Sequence, residues 1–139
     1  MTILLDTHTF LWFVAGEERL PAVVRVAIET PQNRVLLSIA SLWEMAIKIS
    51  LGRLHLEQPF DEFIRTQLDI NSIELLPITV AHLSELVALP FHHRDPFDRL
   101  LVAQARVEGI AIASSDASLD AYGVQRMWGQ EPHTSPPLL

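Results

Sequence analysis

Short apolar runs alternate with segments of helical spacing along the chain, and this alternation constrains the possible folds more than any other feature. The runs are rich in Ile, Leu, Val and Ala, as in strands buried on both faces. The segments between them carry apolar residues on one helical face. Strands that alternate with helices typically form a parallel sheet covered by helices on both sides. We therefore predict an α/β fold of this kind.

The predicted elements can be assigned residue by residue. The strands are Thr2–Leu5, residues 35–37, Ile73–Leu76, residues 110–113 and, as an edge strand, residues 124–128. The helices are residues 10–14 capped by Thr7 or Thr9, residues 21–28, the segment from Ser38 or Ser41 to about Ser50, a segment starting at Pro59, Val80–Ala88 capped by Thr79, and Pro96–Glu108 capped by Asp95. Gly109 is a typical stop for the last of these helices.

Length and composition predict one compact domain. A chain of 139 residues that is 49% hydrophobic can bury a single core. We assign this domain to residues 1–128. The composition then turns to Pro, Ser, Thr and His, so residues 129–139 are predicted to be a flexible tail.

Charge and cysteine content exclude several classes of protein. With 17 acids against 10 bases, a broad basic face for nonspecific nucleic-acid binding is not expected. The absence of cysteine excludes a disulfide framework and thiolate chemistry. No signal-peptide pattern and no apolar run of membrane-spanning length is found, so we expect a soluble, cytoplasmic protein without membrane contact.

Acidic residues follow the predicted strands. Asp6 comes directly after the first strand, Glu44 lies beyond the second, and Asp116 follows the fourth. Asp95 and Asp98 are three residues apart across a proline, a spacing that brings side chains to one helix face. In open α/β sheets, sites form at the carboxyl ends of strands. These carboxylates are therefore predicted to form a negatively charged pocket that needs a cation.

Each acid also has a purely structural explanation. Asp95 suits the N-cap position and Asp98 the positive end of a helix dipole, while Ser41 and Glu44 match a capping box. Asp6 can form an Asx turn, and Asp116 can cap the segment Ala117–Tyr122. An acid directly after a buried strand nevertheless costs solvation energy unless it is paired or coordinated. We therefore interpret Asp6 and Asp116 as functional, and leave both explanations open for Asp95 and Glu44.

The acid cluster favours hard divalent ions. Several carboxylates without cysteine suit Mg²⁺ or Mn²⁺ better than Zn²⁺, and the adjacent His92 and His93 are expected to point in different directions. The chain has neither a P-loop nor a Gly-x-Ser-x-Gly motif. A phosphatase-like hydrolase is disfavoured because His8 stands where a second aspartate is needed. The remaining readings are metal-assisted phosphodiester hydrolysis and a non-catalytic partner-binding domain whose acids are helix caps.

Four segments carry a resemblance to a known family: LLDTHTFLW, SLWEMAIK, HHRDPFDRLLVAQA and IASSD. In their order and spacing, the chain resembles the PIN-domain ribonucleases, and among them the VapC-like toxins of bacterial toxin–antitoxin pairs, over about residues 2–128. The resemblance implies a three-layer α/β/α sandwich with a mainly parallel sheet of about five strands. It also implies RNA cleavage with Mg²⁺ or Mn²⁺, a homodimer, and a cognate antitoxin that blocks the acidic groove.

The resemblance also implies roles for individual residues. The four family acids match Asp6, Glu44, Asp98 and Asp116, which are the predicted catalytic residues. Asp6 and Asp98 would hold the metal, Asp116 would be a further or water-mediated ligand, and Glu44 would bind a second ion or orient the water. Asp95 belongs to a DPFDR variant and remains either a ligand or a cap. Ser114 stands where the family often has a small hydroxyl residue that hydrogen-bonds the site.

An RNA substrate requires local positive charge, which the net charge of the chain does not supply. We expect Lys48, Arg53, Arg94 and Arg99 to form a positive rim around the acids. The helix from Pro21 and the segment around Phe60 and Phe63 are candidate surfaces for partner contacts, although ordinary core packing is the favoured explanation for both.

Overall fold

The computed structural model describes residues 1–129. Its strands are β1 (Thr2–Leu5), β2 (Arg34–Ser38), β3 (Ile73–Leu76), β4 (Ala111–Ala113) and β5 (Arg126–Met127). Its α-helices are α1 (Thr7–Ala15), α2 (Ala22–Glu29), α3 (Ile39–Ser50), α4 (Phe60–Ile70), α5 (Val80–Ala88) and α6 (Pro96–Glu108), followed by a 3₁₀ helix at Ala117–Tyr122. Apart from Gly129, the predicted flexible tail lies outside the described residues.

The five strands form one sheet in the order β3-β2-β1-β4-β5, and every neighbouring pair is parallel. A helix between successive strands allows this parallel pairing. Leu5 at the end of β1 pairs with Leu37 of β2 on one side and with Ala113 of β4 on the other. The carboxyl ends of the three central strands therefore lie side by side, and the residues that follow them meet at one edge of the sheet.

Two apolar layers cover the sheet, one on each face. Side chains alternate along β1, so that Ile3 and Leu5 pack with α1, α2 and α4, whereas Leu4 packs with α6 on the opposite face. Helix α6 is the most deeply buried of the helices described, with residues 99–105 inside. The predicted three-layer α/β/α sandwich is confirmed. No helix within residues 1–129 is long and apolar enough to cross a bilayer.

Several element ends were predicted correctly and one cap was not. Helices α5 and α6 have the predicted bounds, with Thr79 and Asp95 as caps. The prediction that Thr7 or Thr9 caps the first helix is wrong, because α1 begins at Thr7 and its cap is Asp6. The two threonine hydroxyls donate elsewhere, to Glu44 and to the carbonyl of Ala113.

The two candidate contact surfaces are partly core. Phe60 and Phe63 pack against the core, and the ring of Phe63 meets that of Phe10 edge to face. On α2, Val24 is buried but Val23 and Val26 are exposed. Part of α2 therefore stays available for contact with a partner, whereas the aromatic pair of α4 mainly stabilises the fold.

Candidate active site

Asp6 is held at the carboxyl end of β1. Its backbone N–H donates to the carbonyl of Ala113 over 3.1 Å, which extends the pairing of β1 with β4 by one residue. Its Oδ1 accepts a hydrogen bond from the N–H of Thr9 at 2.8 Å and so caps α1. The side chain is buried. Capping occupies only one carboxylate oxygen, so a structural and a metal-binding role are compatible in this residue.

Glu44 lies in the second turn of α3 and is fixed at both oxygens. Its Oε1 accepts a hydrogen bond from the hydroxyl of Thr7 at 2.7 Å, and its Oε2 is 2.9 Å from the ammonium of Lys48. The capping-box reading is wrong, because α3 is capped by Ser38, whose hydroxyl accepts from the N–H of Ala40. The buried carboxylate of Glu44 is therefore oriented by α1 and by its own helix.

Asp95 and Asp98 have different roles at the start of α6. The Oδ1 of Asp95 accepts hydrogen bonds from the N–H groups of Phe97 and Asp98, at 2.8 and 3.1 Å. These two hydrogen bonds make Asp95 the N-cap of α6. Asp98, three residues on, does not cap the helix, so its carboxylate is available for another role.

Asp98 lies in a strongly negative environment. Burial first, and then the charges of Asp95, Asp6 and Glu44, raise the pKa of Asp98 from its ordinary value of 3.8 to about 7, while His93 opposes this rise. A carboxylate is disfavoured by burial and by neighbouring like charges. The acids contributed by β1, α3 and α6 therefore act on one another, as the sequence pattern predicted.

Asp116 caps the 3₁₀ helix and also reaches the cluster. Its Oδ1 accepts from the N–H and the hydroxyl of Ser118, at 3.0 and 2.6 Å, and its N–H donates to the hydroxyl of Ser114. Partial burial alone would raise the pKa of Asp116, but hydrogen bonds from Ser118 and His93 hold that pKa below its ordinary value. Asp116 is therefore a carboxylate at neutral pH, with a stabilised negative charge.

His93 joins Asp98 to Asp116, and the sequence analysis missed it. Its Nε2 is 2.7 Å from Oδ2 of Asp116 and 3.5 Å from Oδ2 of Asp98. Its Nδ1 accepts from the N–H of Asp95, so the neutral ring carries its proton on Nε2 and donates it to a carboxylate. Its backbone N–H donates to the hydroxyl of Tyr122. His93 therefore orients the carboxylate of Asp116 and lies beside that of Asp98, and this arrangement does not favour it as a metal ligand.

The donor set fits a hard divalent cation. Within residues 1–129, the carboxylates of Asp98 and Asp116 lie with the imidazole of His93 in the one group of three acidic or histidine side chains whose ligand atoms are all within 4.8 Å of one another, and Asp6 is not part of that group. Ser41, one turn before Glu44 on the same helix face, has a buried hydroxyl without a hydrogen-bond partner among the described residues. Carboxylate oxygens around a mutually repelling cluster suit Mg²⁺ or Mn²⁺.

The predicted positive rim needs one correction. Arg99 is buried, and its guanidinium donates to the carbonyls of Leu86, Leu89 and Pro90. It also lies 4.1 Å from the ring centre of Phe91. Arg99 therefore holds the segment between α5 and α6 and is not a rim residue. Arg53 and Arg94 are exposed, and Lys48 is paired with Glu44.

Comparison with known proteins identifies related sequences and folds. Residues 3–125 match the PIN domain family. Ribonuclease VapC22 of Mycobacterium tuberculosis is 29% identical over 122 residues, which are 87% of this chain and 92% of that protein.

Two solved structures share the fold at lower identity. In VapBC2 of Rickettsia felis, bound to a DNA fragment from its promoter, one chain matches with a TM-score of 0.67 and 14% identity, over 92% of this chain and 99% of that one. A toxin-antitoxin complex of Klebsiella pneumoniae matches with a TM-score of 0.61 and 17% identity, over 94% and 99% of the two chains.

Proposed function

Because the chain belongs to the PIN domain family, we propose that it is a metal-dependent endoribonuclease that acts as the toxin of a toxin–antitoxin pair. The observation that carries this proposal is the convergence of Asp6, Glu44 and Asp98 from three different elements. Burial, together with the charges of Asp95, Asp6 and Glu44, raises the pKa of Asp98 to about 7. Repulsion between these carboxylates does not stabilise the folded protein, but a bound cation relieves it. Cellular RNA as the substrate implies a cytoplasmic site of action.

We propose that Asp6, Asp98 and Asp116 hold Mg²⁺ or Mn²⁺. When bound, such an ion lowers the pKa of a coordinated water and neutralises charge on a phosphodiester. Glu44, fixed by Thr7 and Lys48, would orient the attacking water or bind a second ion. His93 fixes the carboxylate of Asp116 next to Asp98. These protein contacts preorganise the carboxylates before substrate arrives.

The test is cleavage of a single-stranded RNA by the purified protein. With Mg²⁺ or Mn²⁺ we expect endonucleolytic products, and we expect EDTA to stop their formation and excess Mn²⁺ to restore it. Mn²⁺ should also raise the melting temperature by several degrees at concentrations well above its dissociation constant, because it binds only the folded chain. If Mn²⁺ changes neither cleavage nor melting, the acids have only structural roles and the non-catalytic alternative is correct.

The toxin role rests on the relatives and on a surface groove. VapC22 is named a ribonuclease, and the Klebsiella structure is a toxin-antitoxin complex. In this chain a groove of about 440 Å³ runs between α1, the 54–57 segment and α4. Leu11, Trp12, Leu54 and Phe63 supply its apolar lining. We propose this groove as the place where an apolar segment of the antitoxin binds.

We propose a homodimer that uses the outer face of α5. Val80, Leu83 and Val87 are exposed at helical spacing, which forms an apolar stripe along this helix. Contiguous apolar patches on a soluble protein typically mark an interface. Light scattering is expected to give about twice the monomer mass of 15.7 kDa. Leu83→Glu should shift the protein to a monomer, whereas Glu29→Gln on the remote helix α2 should not.

A further inference from the structure

Trp43 is the most exposed tryptophan of the chain. Its relative exposure is 58%, whereas Trp12 and Trp128 are partly buried against the core and pack on each other with ring centroids 6.1 Å apart. An indole ring has a large apolar surface, and exposing this surface to water is unfavourable unless a bound partner covers it. The position of Trp43 therefore suggests a binding role more than a packing role.

The ring of Trp43 lies against Phe97 where α3 and α6 meet. The two ring centroids are 5.2 Å apart and the planes are inclined by 78°, which is an edge-to-face contact. Trp43 directly precedes Glu44, and Phe97 directly precedes Asp98. The aromatic pair is thus attached to the same two helix turns that deliver two of the acids to the candidate active site.

The contact geometry leaves ring surface free. In an edge-to-face pair one ring presents its edge, so at least one face of the Trp43 indole has no partner in Phe97. Phe97 is itself partly buried and braces the indole from the α6 side. A flat, supported and solvent-facing aromatic surface next to a phosphodiester-cleaving site is suited to stacking with an unpaired base.

We propose that Trp43, supported by Phe97, is a stacking platform for an unpaired base of the RNA next to the cleaved phosphodiester. This inference rests on the proposed ribonuclease function and adds a residue that positions the substrate. Exposed Arg94, which precedes the cap of α6, supplies a cation for the neighbouring phosphates. A stacked base would draw the strand across the acids despite their negative charge. The platform predicts a preference for single-stranded over paired RNA.

A binding titration tests the stacking directly. The protein carrying Asp98→Asn is used with Mg²⁺, so that a short single-stranded oligoribonucleotide stays intact. We expect the RNA to quench tryptophan fluorescence, and Trp43→Phe to remove most of this quenching while affinity changes less than about threefold. Trp43→Ala should weaken binding about 10- to 100-fold, in line with the contribution of one stacked base. Trp128→Phe is the control and should keep the quenching.

Cleavage kinetics and a modified RNA give independent readouts. In the wild-type background Trp43→Ala should raise KM by a similar factor with little change in kcat. Binding is compared in the Asp98→Asn background, where RNA stays intact. There, an oligoribonucleotide with one abasic position should bind the protein with Trp43 as weakly as intact RNA binds the protein with Trp43→Ala, and Trp43→Ala should not weaken binding of the abasic RNA further. Equal binding of intact RNA with and without Trp43→Ala in this background would overturn the platform.

The outcomes separate this inference from the proposed function. If wild-type protein cuts RNA and Trp43→Ala cuts it equally well, the stacking role is wrong and the nuclease remains. If RNA quenches Trp43 but is never cut, the nuclease is wrong and the stacking remains. If Trp43→Ala loses only self-association, with RNA binding unchanged, the aromatic pair is a protein contact and the platform is wrong.

Discussion

Asp98→Asn is expected to reduce RNA cleavage more than about 100-fold, the largest loss of any single change in the cluster. Loss of a residue that merely orients a metal ligand already costs 10- to 100-fold, and Asp98 is proposed to be a ligand itself. Burial and three neighbouring acids make Asp98 the carboxylate that most needs the cation. The rate of product formation from a single-stranded RNA measures the effect, and growth arrest on expression should be lost in parallel.

The same variant should be more stable than wild type when metal is absent. The folded pKa of Asp98, about 7, lies above its ordinary value of 3.8, so the folded state binds more protons than the unfolded state between these values. Stability from this group is therefore present below about pH 4 and is lost as pH rises through 7. Asn carries no charge. At pH 8 in EDTA, Asp98→Asn should raise the free energy of unfolding by about 1 to 2 kcal/mol, after allowance for screening by solvent.

Asp95→Asn is the matched control for Asp98→Asn. Asparagine is as good an N-cap as aspartate, so α6 should start normally. The substitution also removes one neighbouring charge from Asp98. We expect cleavage within a few-fold of wild type. If Asp95→Asn lost as much activity as Asp98→Asn, Asp95 would be a ligand as well as a cap, and if Asp98→Asn cut RNA normally, the proposed metal site would be wrong.

Arg99→Met is expected to lower the free energy of unfolding by about 2 to 3 kcal/mol, the largest effect on stability proposed for this chain. The guanidinium donates to three backbone carbonyls at the end of α5 and in the segment that follows it. Methionine keeps the aliphatic volume but leaves these carbonyls without their charged donor, and hydrogen bonds to charged groups each contribute about 1.5 to 3 kcal/mol. Denaturant unfolding monitored by circular dichroism measures the change.

Arg94→Met provides the comparison for Arg99→Met. Arg94 is exposed on the same segment, and exposed substitutions usually change stability by less than about 0.5 kcal/mol. The two variants should therefore differ clearly in unfolding midpoint. Similar midpoints would mean that the contacts of Arg99 contribute nothing and that the segment between α5 and α6 is held by other groups.

Local chemistry made most of the fold predictable. β1, β3, α5 and α6 have the predicted bounds. The last three of these elements end within two residues of a proline or a glycine, which stops regular structure. Pro96 can start α6 and Gly109, with a φ of 66°, can end it in a left-handed conformation. The cap of α1 was misassigned because Asp6, Thr7 and Thr9 are all acceptable caps. Only the positions of their other partners decide which one caps the helix.

The candidate site was only partly predictable, because some roles depend on partners that are distant in sequence. Asp6, Asp98 and Asp116 were predicted as site residues because they follow strands or open a helix, and their roles stay predictions. His93 was missed because its role depends on Asp116, 23 residues away in sequence, and nothing local distinguishes it from His92. Arg99 was misread because four arginines and lysines near the acids look alike in sequence. Burial, which separates Arg99 from Arg94, arises only when α5 and α6 pack together.

The order of strands and helices, their capping and the positions of the acids along the chain were determined by the sequence itself, because propensity, apolar period and turn chemistry act over a few residues. Only the tertiary structure decided which side chains meet. The parallel register that aligns Leu5 with Leu37 and Ala113 brings distant acids to one edge, and α6 packing turns Arg99 inward and His93 toward Asp116. These contacts depend on distances between elements, which no local pattern encodes.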